Sequence, residues 1–291
     1  TVYLSPAPLY HAAPLRYTMG VHRLGGTVVM MEHFDAEDFL RLVERHRITH
    51  SQLVPTMFVR MLKLPEDVRT RYDLSSLRCA IHAAAPCPVP VKQQMIAWWG
   101  PILWEYYAGT EGNGVTMTNS AQWLEHKGTV GKAVIGELRI VDDDTGNLMP
   151  TGQAGTVYFA NGRPFSYHND PGKTASSTHP QGWTTLGDVG YVDADGYLYL
   201  TDRKAYMIIS GGVNIYPQEA ENVLINHPQV ADCAVLGVPN EEFGEEVKAV
   251  VQPMPGLAHT PELAAELVAF WREHLAHLKC PRTVDFSDAL P

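Results

Sequence analysis

Cysteine is scarce, with four in 291 residues, at positions 79, 87, 233 and 280. No pair has the short spacing of a zinc site, and a disulfide framework does not suit so long a chain. Isolated buried thiols in a reducing compartment are the expectation. Long apolar runs are also missing, and no stretch approaches the about 20 residues of a membrane span. Thr1 to Tyr10 lack the basic start and apolar middle of a secretory signal. The chain has no initiator Met and is expected to be a fragment or a processed form. Positive charge is in short supply: 22 Lys and Arg stand against 32 Asp and Glu, a net charge of −10. That balance disfavours nonspecific binding to nucleic acid or to anionic membrane. It does not disfavour a phosphorylated ligand, because helix N-termini, backbone amides and a few basic groups act locally. Internal repeats and low-complexity segments are absent.

What is present is the texture of an ordinary globular protein, with 45% hydrophobic and 19% charged residues. Its length suggests roughly two domains of about 150 residues each. Up to residue 127, apolar β-branched runs alternate with helical patterns. Strands are expected at Thr27–Met31, Ser51–Val54, Leu77–Ala83 and Leu103–Tyr107. Between them, Asp35 caps a helix carrying Phe39, Leu40, Val43 and Arg47, and Pro55 opens a helix through Phe58 and Leu62. Val91 to Trp99 forms a third helix, stopped by Gly100. This alternation predicts a parallel, layered α/β sheet. After residue 127 short strands take over (136–141, 155–160, 190–192, 197–201), separated by Asp-Gly turns. They predict a small barrel or distorted sheet. From Asp202 an α+β unit of about 85 residues follows. Its helices open at Pro217 and Pro261, and the second carries Leu263, Leu267, Phe270, Trp271 and Leu275.

Four segments carry chemistry. In Trp104-Glu105-Tyr106-Tyr107-Ala108-Gly109-Thr110-Glu111-Gly112 a strand ends in aromatics, small residues, a hydroxyl and a carboxylate. An aromatic there can stack on a purine, a Thr hydroxyl can bond a phosphate oxygen, and a Glu can hold Mg²⁺. An isolated Thr-Glu pair is far more often a solvated turn. His82-Ala83-Ala84-Ala85-Pro86 leaves room above the backbone for a flat ring, although tight strand–helix packing is the commoner reason for such a segment alone. Asp188, in Leu186-Gly187-Asp188-Val189-Gly190, reads as an acidic residue in a Gly-flanked turn. Such a residue accepts ribose hydroxyls in other nucleotide folds, or else bonds its own backbone. Thr201-Asp202-Arg203 leads through an apolar strand to Gly211-Gly212 and the helix at Pro217. Trp98, Trp99 and Trp104 read as core residues.

Together, in this order, the four segments resemble the adenylate-forming superfamily: acyl-CoA synthetases, luciferase-like enzymes and peptide-synthetase adenylation domains. Tyr107-Ala108-Gly109-Thr110-Glu111 looks like that family's Tyr-Gly-x-Thr-Glu, and Leu186-Gly187-Asp188 like its Thr-Gly-Asp. Thr201 to Glu219 looks like its hinge and the start of its small C-terminal domain. Pro8-Leu9-Tyr10-His11 looks like the segment where an aromatic and a His line the acyl pocket. The resemblance spans nearly the whole chain.

It implies an α/β fold: part of a layered large domain (1–201) with a β-barrel-like subdomain, a hinge (202–206) and a small α+β C-terminal domain (207–291). It implies that Ala84, Ala85, Pro86 and Tyr107 hold adenine, that Asp188 and Arg203 hold ribose, and that Thr110 contacts the α-phosphate. Glu111 is the implied Mg²⁺ ligand. Coenzyme A passes Gly211-Gly212, and His11 belongs to the catalytic set. The implied activity converts a carboxylic acid, ATP and coenzyme A to acyl-CoA, AMP and diphosphate through an acyl-adenylate. The acid partner is a small molecule, fatty or otherwise hydrophobic, because Tyr10-His11-Ala12-Ala13 lacks the Asp that binds an amino group in peptide-synthetase relatives. The rivals are an adenylation domain feeding a carrier protein and a non-catalytic nucleotide-binding fragment. The family's phosphate loop is expected before residue 1 and its catalytic lysine after residue 291, so the chain alone is expected to adenylate slowly. Ala108 replaces a common Gly, and Ala205 replaces a common Asp or Lys at the pivot. A cytoplasmic protein is expected, peripheral to membranes where the acid is lipid-like, and the resemblance allows a homodimer.

Overall fold

The computed structural model describes residues 1–203 and 206–290. Lys204, Ala205 and Pro291 lie outside the described residues, as do the side chains of Asp202 and Arg203, so the pivot expected at Ala205 is among those left out. The chain divides into two compact units. One comprises Thr1–Leu138, Phe159–Thr184 and Asp195–Tyr199; the other comprises Arg139–Tyr158, Thr185–Ala194 and Leu200–Pro291.

In the first unit seven strands form one sheet: β1 (Val2–Ser5), β2 (Thr27–Met30), β3 (His50–Leu53), β4 (Cys79–His82), β5 (Leu103–Ala108), β6 (Val115–Asn119) and β7 (Lys132–Ile135). Their order is β2-β1-β3-β4-β5-β6-β7. The first five strands are parallel, as the strand–helix alternation predicts. The last two, which lie outside the strands expected from the sequence, pair antiparallel. The cause is local: Gly112 at φ +69 turns the chain back after β5, with no helix between the strands.

The helices are α1 (Ala12–Arg23), α2 (Ala36–His46), α3 (Pro55–Leu62), α4 (Glu66–Arg69), α5 (Val89–Trp99), α6 (Ser120–Glu125) and, further on, α7 (Pro171–Ser176). Helix α2 begins where the Asp35 side chain accepts from the Asp38 amide at 2.8 Å. It buries Phe39, Leu40 and Val43 and ends at Arg47, in the left-handed region at φ 52. Pro55 occupies the first turn of α3, where its missing N–H costs nothing. The core of this unit includes Leu4, Leu53, Phe58, Met61, Ala80 and Leu103, all inaccessible to solvent. Trp104 is not in it. It is 38% exposed, because the alternation of β5 turns Leu103 and Glu105 inward and Trp104 out.

The strands β8 (Glu137–Val141), β9 (Gly155–Ala160), β10 (Thr184–Val192) and β11 (Leu198–Arg203) make a four-stranded sheet in the order β11-β10-β9-β8. The C-terminal part adds β12 (Ile208–Ser210), β13 (Val213–Ile215), α8 (Pro217–Leu224), β14 (Val230–Asn240), β15 (Gly244–Pro253), α9 (Pro261–His274) and β16 (Thr283–Phe286). Its sheet runs β13-β12-β15-β14, with β16 parallel to β15. The core here is built by Ile208, Leu224, Val230, Ala249, Val251, Leu267 and Trp271. Trp271 Nε1 donates to the Ala220 carbonyl at 2.8 Å, which satisfies its one polar atom. The four cysteines are free, but only Cys280 is buried; the other three are partly exposed, which corrects the expectation of buried thiols.

Candidate active site

Strands β4 and β5 lie side by side and parallel, with His82 opposite Glu105. The turns that leave them therefore start together at the carboxyl edge of the sheet, where open α/β sheets bind ligands. The first turn holds Ala83, Ala84, Ala85 and Pro86. Ala84 sits at φ +81, a left-handed conformation that costs a non-glycine residue about 1–2 kcal/mol. The surrounding structure must impose it, and it lifts Ala84 and Ala85 into solvent. The second turn follows Tyr107, whose ring stacks on Phe159 with centroids 6.1 Å apart and planes 23° from parallel. Gly112 N donates to Gly109 O at 3.1 Å, closing a tight loop around the exposed Thr110 and the half-buried Glu111. Gly114 carries no side chain because a Cβ there would lie 2.1 Å from the Phe159 ring.

Glu111 is held from a third segment. The Tyr167 hydroxyl donates to Glu111 Oε1 at 2.9 Å, and Lys173 Nζ lies 4.1 Å from the centroid of the same tyrosine ring. Burial raises the Tyr167 phenol, and acceptance of its proton by Glu111 raises it further. A carboxylate oriented in this way is a hard oxygen donor suited to Mg²⁺. His11 precedes α1 as its N-cap residue without a capping bond, exposed and 4.4 Å from the Tyr10 ring. It follows β1, which β3 separates from β4.

The remaining candidates belong to the second unit. Asp188 is buried, 6% exposed, in the middle of β10. The expectation of a Gly-flanked turn is thus corrected: Gly187 takes φ +83, but the strand runs through it. Arg203 ends β11, the strand next to β10. Gly211 and Gly212 form the two-residue turn between β12 and β13, at φ +57 and +78. Two positive φ angles are what the twist of a tight hairpin demands. The structure therefore brings Ala84–Pro86 together with Tyr107–Glu111, places Asp188 and Arg203 on neighbouring strands, and gives the glycine pair its own hairpin.

The sequence reading missed two features. One is the Tyr167 bond to Glu111. The other is a buried ion pair, in which Lys92 Nζ lies 2.5 Å from Glu105 Oε2, both side chains at most 4% exposed. Burial raises the Glu105 carboxyl and Lys92 pulls it back; burial, aided by Lys92, holds His82 well below its usual range. The signal was present. Lys92 shares the buried face of α5 with Val91, Met95 and Ile96, and Glu105 shares the inward side of β5 with Leu103. Opposite charges on two apolar faces point to a pair.

Comparison with known proteins accounts for this layout. Residues 1–164 match the family model described as AMP-binding enzyme, and residues 219–291 match AMP-binding enzyme C-terminal domain. The chain belongs to the AMP-binding enzyme family, within the adenylate-forming superfamily. It is 33% identical over 291 residues to a long-chain-fatty-acid–CoA ligase of Bacillus subtilis, covering 99% of this chain and 51% of that one. It is 37% identical to a feruloyl-CoA synthase of an Amycolatopsis species, covering 99% of this chain and 58% of the other. The chain thus spans about half the length of the curated relatives it matches. Among solved structures, an amide bond synthetase from Marinactinospora thermotolerans superposes with a TM-score of 0.80 at 33% identity, over 99% of this chain and 59% of that one. The o-succinylbenzoate coenzyme A synthetase of Bacillus subtilis, in complex with ATP and magnesium, gives 0.79 at 30% identity, over 100% and 58%.

Proposed function

We propose that the protein carrying this chain is an AMP-forming acid–thiol ligase that activates a hydrophobic carboxylic acid with ATP and passes the acyl group to coenzyme A. The observation that carries this reading is the pair of turns after β4 and β5, one forced open at Ala84 and the other presenting Tyr107, Thr110 and Glu111. In this reading Tyr107 and the Ala84-Ala85-Pro86 turn hold adenine, Asp188 and Arg203 hold the ribose hydroxyls, and Thr110 donates to the α-phosphate. Glu111 fits a Mg²⁺ ion, which when bound would offset phosphate charge. The substrate carboxylate attacks the α-phosphorus and diphosphate leaves. The thiol of coenzyme A, its slender arm passing Gly211 and Gly212, then attacks the acyl carbonyl and AMP leaves. Positioning and charge neutralisation do most of this work.

The large domain is proposed to end at residue 201 and the small one to begin at 207, with a hinge between. A cytoplasmic location belongs to the same reading and is supported by four free thiols. His11 and Tyr10, both exposed after β1, are proposed to face the acid.

The test is isotope exchange between diphosphate and ATP, driven by a panel of fatty and aromatic acids. Acid-dependent exchange is expected. In the same assay Asp188→Ala should raise the KM for ATP about tenfold or more, the equivalent of a charge-assisted hydrogen bond of about 1.5–3 kcal/mol. No exchange with any acid sinks the reading, and unchanged ATP kinetics in the variant removes Asp188 from the ribose.

A further inference from the structure

Beneath the two turns of the first unit, three titratable side chains meet out of reach of solvent. His82, Lys92 and Glu105 are 0%, 0% and 3% exposed. Glu105 Oε2 lies 2.5 Å from Lys92 Nζ and 3.7 Å from His82 Nε2. The Lys92 ammonium stands 4.9 Å from the centroid of the buried Trp123 ring, and Phe58 meets His82 edge-on at 5.3 Å. Neither ring nitrogen of His82 has a hydrogen-bond partner, and the fourth titratable group nearby, the Cys87 thiol, is pushed up by burial and Glu105.

A buried pair of this kind is poorly explained as a source of stability. Apolar side chains of similar volume generally do as well or better in its place. What it supplies is a fixed arrangement, because each charge has a single partner that can offset its lost hydration. The positions of the three residues along the chain give that arrangement a purpose. His82 is the last residue of β4, immediately before Ala83-Ala84-Ala85. Lys92 is in the first turn of α5, just after the same loop. The two bracket the loop, one at each end, and both face Glu105. Glu105 in turn lies opposite His82 on the neighbouring strand, two residues before Tyr107.

We propose that Glu105 is a positioning residue for the nucleotide: through Lys92 it ties the first turn of α5 to the strand that presents Tyr107, while His82, paired with Glu105 across the parallel strands, anchors the other end of the Ala83–Pro88 loop. The left-handed Ala84 is the consequence, since a loop pinned at both ends has little freedom to relax. This rests on the proposed ATP-dependent reaction. Glu105 and Lys92 touch neither acid nor thiol in it.

Two variants test the idea in the complete protein. K92M/E105L replaces the pair with apolar side chains of similar volume, and E105Q keeps the shape while removing the charge. Both are expected to fold, with the KM for ATP raised about fivefold or more, while kcat and the KM for the acid stay within twofold. A folded variant with an ATP KM within twofold of the parent overturns the proposal. So does an equal fall in every kinetic parameter, or failure of both variants to fold, since either marks the pair as a stability element only. Parent protein without acid-dependent diphosphate exchange overturns the ligase reading itself, and the positioning role with it. Exchange by the parent therefore separates the two failures.

Discussion

His82 shows what a single buried imidazole does to stability. Its ring is fully enclosed, both nitrogens lack partners, and burial with Lys92 nearby holds it neutral in the folded chain. In the unfolded chain the same group takes up a proton near its ordinary value of 6.5. Below that pH the unfolded state binds the additional proton, so stability falls as pH drops from about 6.5. Glu105, raised above 4.5, acts in the opposite sense, because its contribution weakens as pH rises. The informative quantity is therefore a difference between chains. His82→Leu should show a smaller loss of thermal stability between pH 7.5 and pH 5.5 than the parent does. Melting curves at the two pH values check this, and parallel losses in both chains would show that His82 protonates in the fold.

At the scale of elements, α9 has the simplest energetics. It lays Leu263, Leu267 and Trp271 on the C-terminal sheet and leaves Ala265, Glu266 and Ala269 to solvent. Leu267 is inaccessible, so Leu267→Ala leaves a cavity and should cost about 2–5 kcal/mol. Ala269→Ser on the outer face should stay within about 0.5 kcal/mol. Denaturant unfolding of the two variants checks both figures. This helix was legible in the sequence because its period, its Thr260 cap and Pro261 agree. Part of the same agreement made the others readable: the Asp35 cap for α2, a proline in the first turn for α3 and α8, and Gly100 at the end of α5. Helix α1 was not readable: its N-cap His11 makes no capping bond, and of its twelve residues only Pro14 and Thr18 are buried, so it carries almost no apolar stripe. The antiparallel turn to β6 escaped as well, because Gly112 gives no sign of which strand it will join. Asp188 shows the limit at the site. Its flanking glycines spelled a turn, yet the nine-residue strand β10 carries it through, since strand pairing on both sides overrides local propensity.

At the scale of the whole molecule the proposed reaction turns on its acceptor. Adenylation leaves an activated acyl carbonyl, and attack on it by a thiol or by an amine differs only in the nucleophile. Both outcomes are represented among proteins of the same fold: similar chains include CoA ligases, and one superposing structure is an amide bond synthetase. A thiol acceptor needs a narrow path for a long, flexible arm, and the exposed hairpin at Gly211-Gly212 is suited to that because neither residue carries a side chain. The expected result is that AMP release with ATP and acid alone stays slow and near stoichiometric, then becomes catalytic on adding coenzyme A. Gly212→Val should slow that second phase and leave diphosphate exchange intact. The backbone there sits at φ +78, which a β-branched residue resists, while no atom lies within 4 Å of an added Cβ to disturb the core. Turnover stimulated by amines but not by coenzyme A would move the protein to the amide-forming side. Turnover only with an acylated carrier protein would make it an adenylation domain.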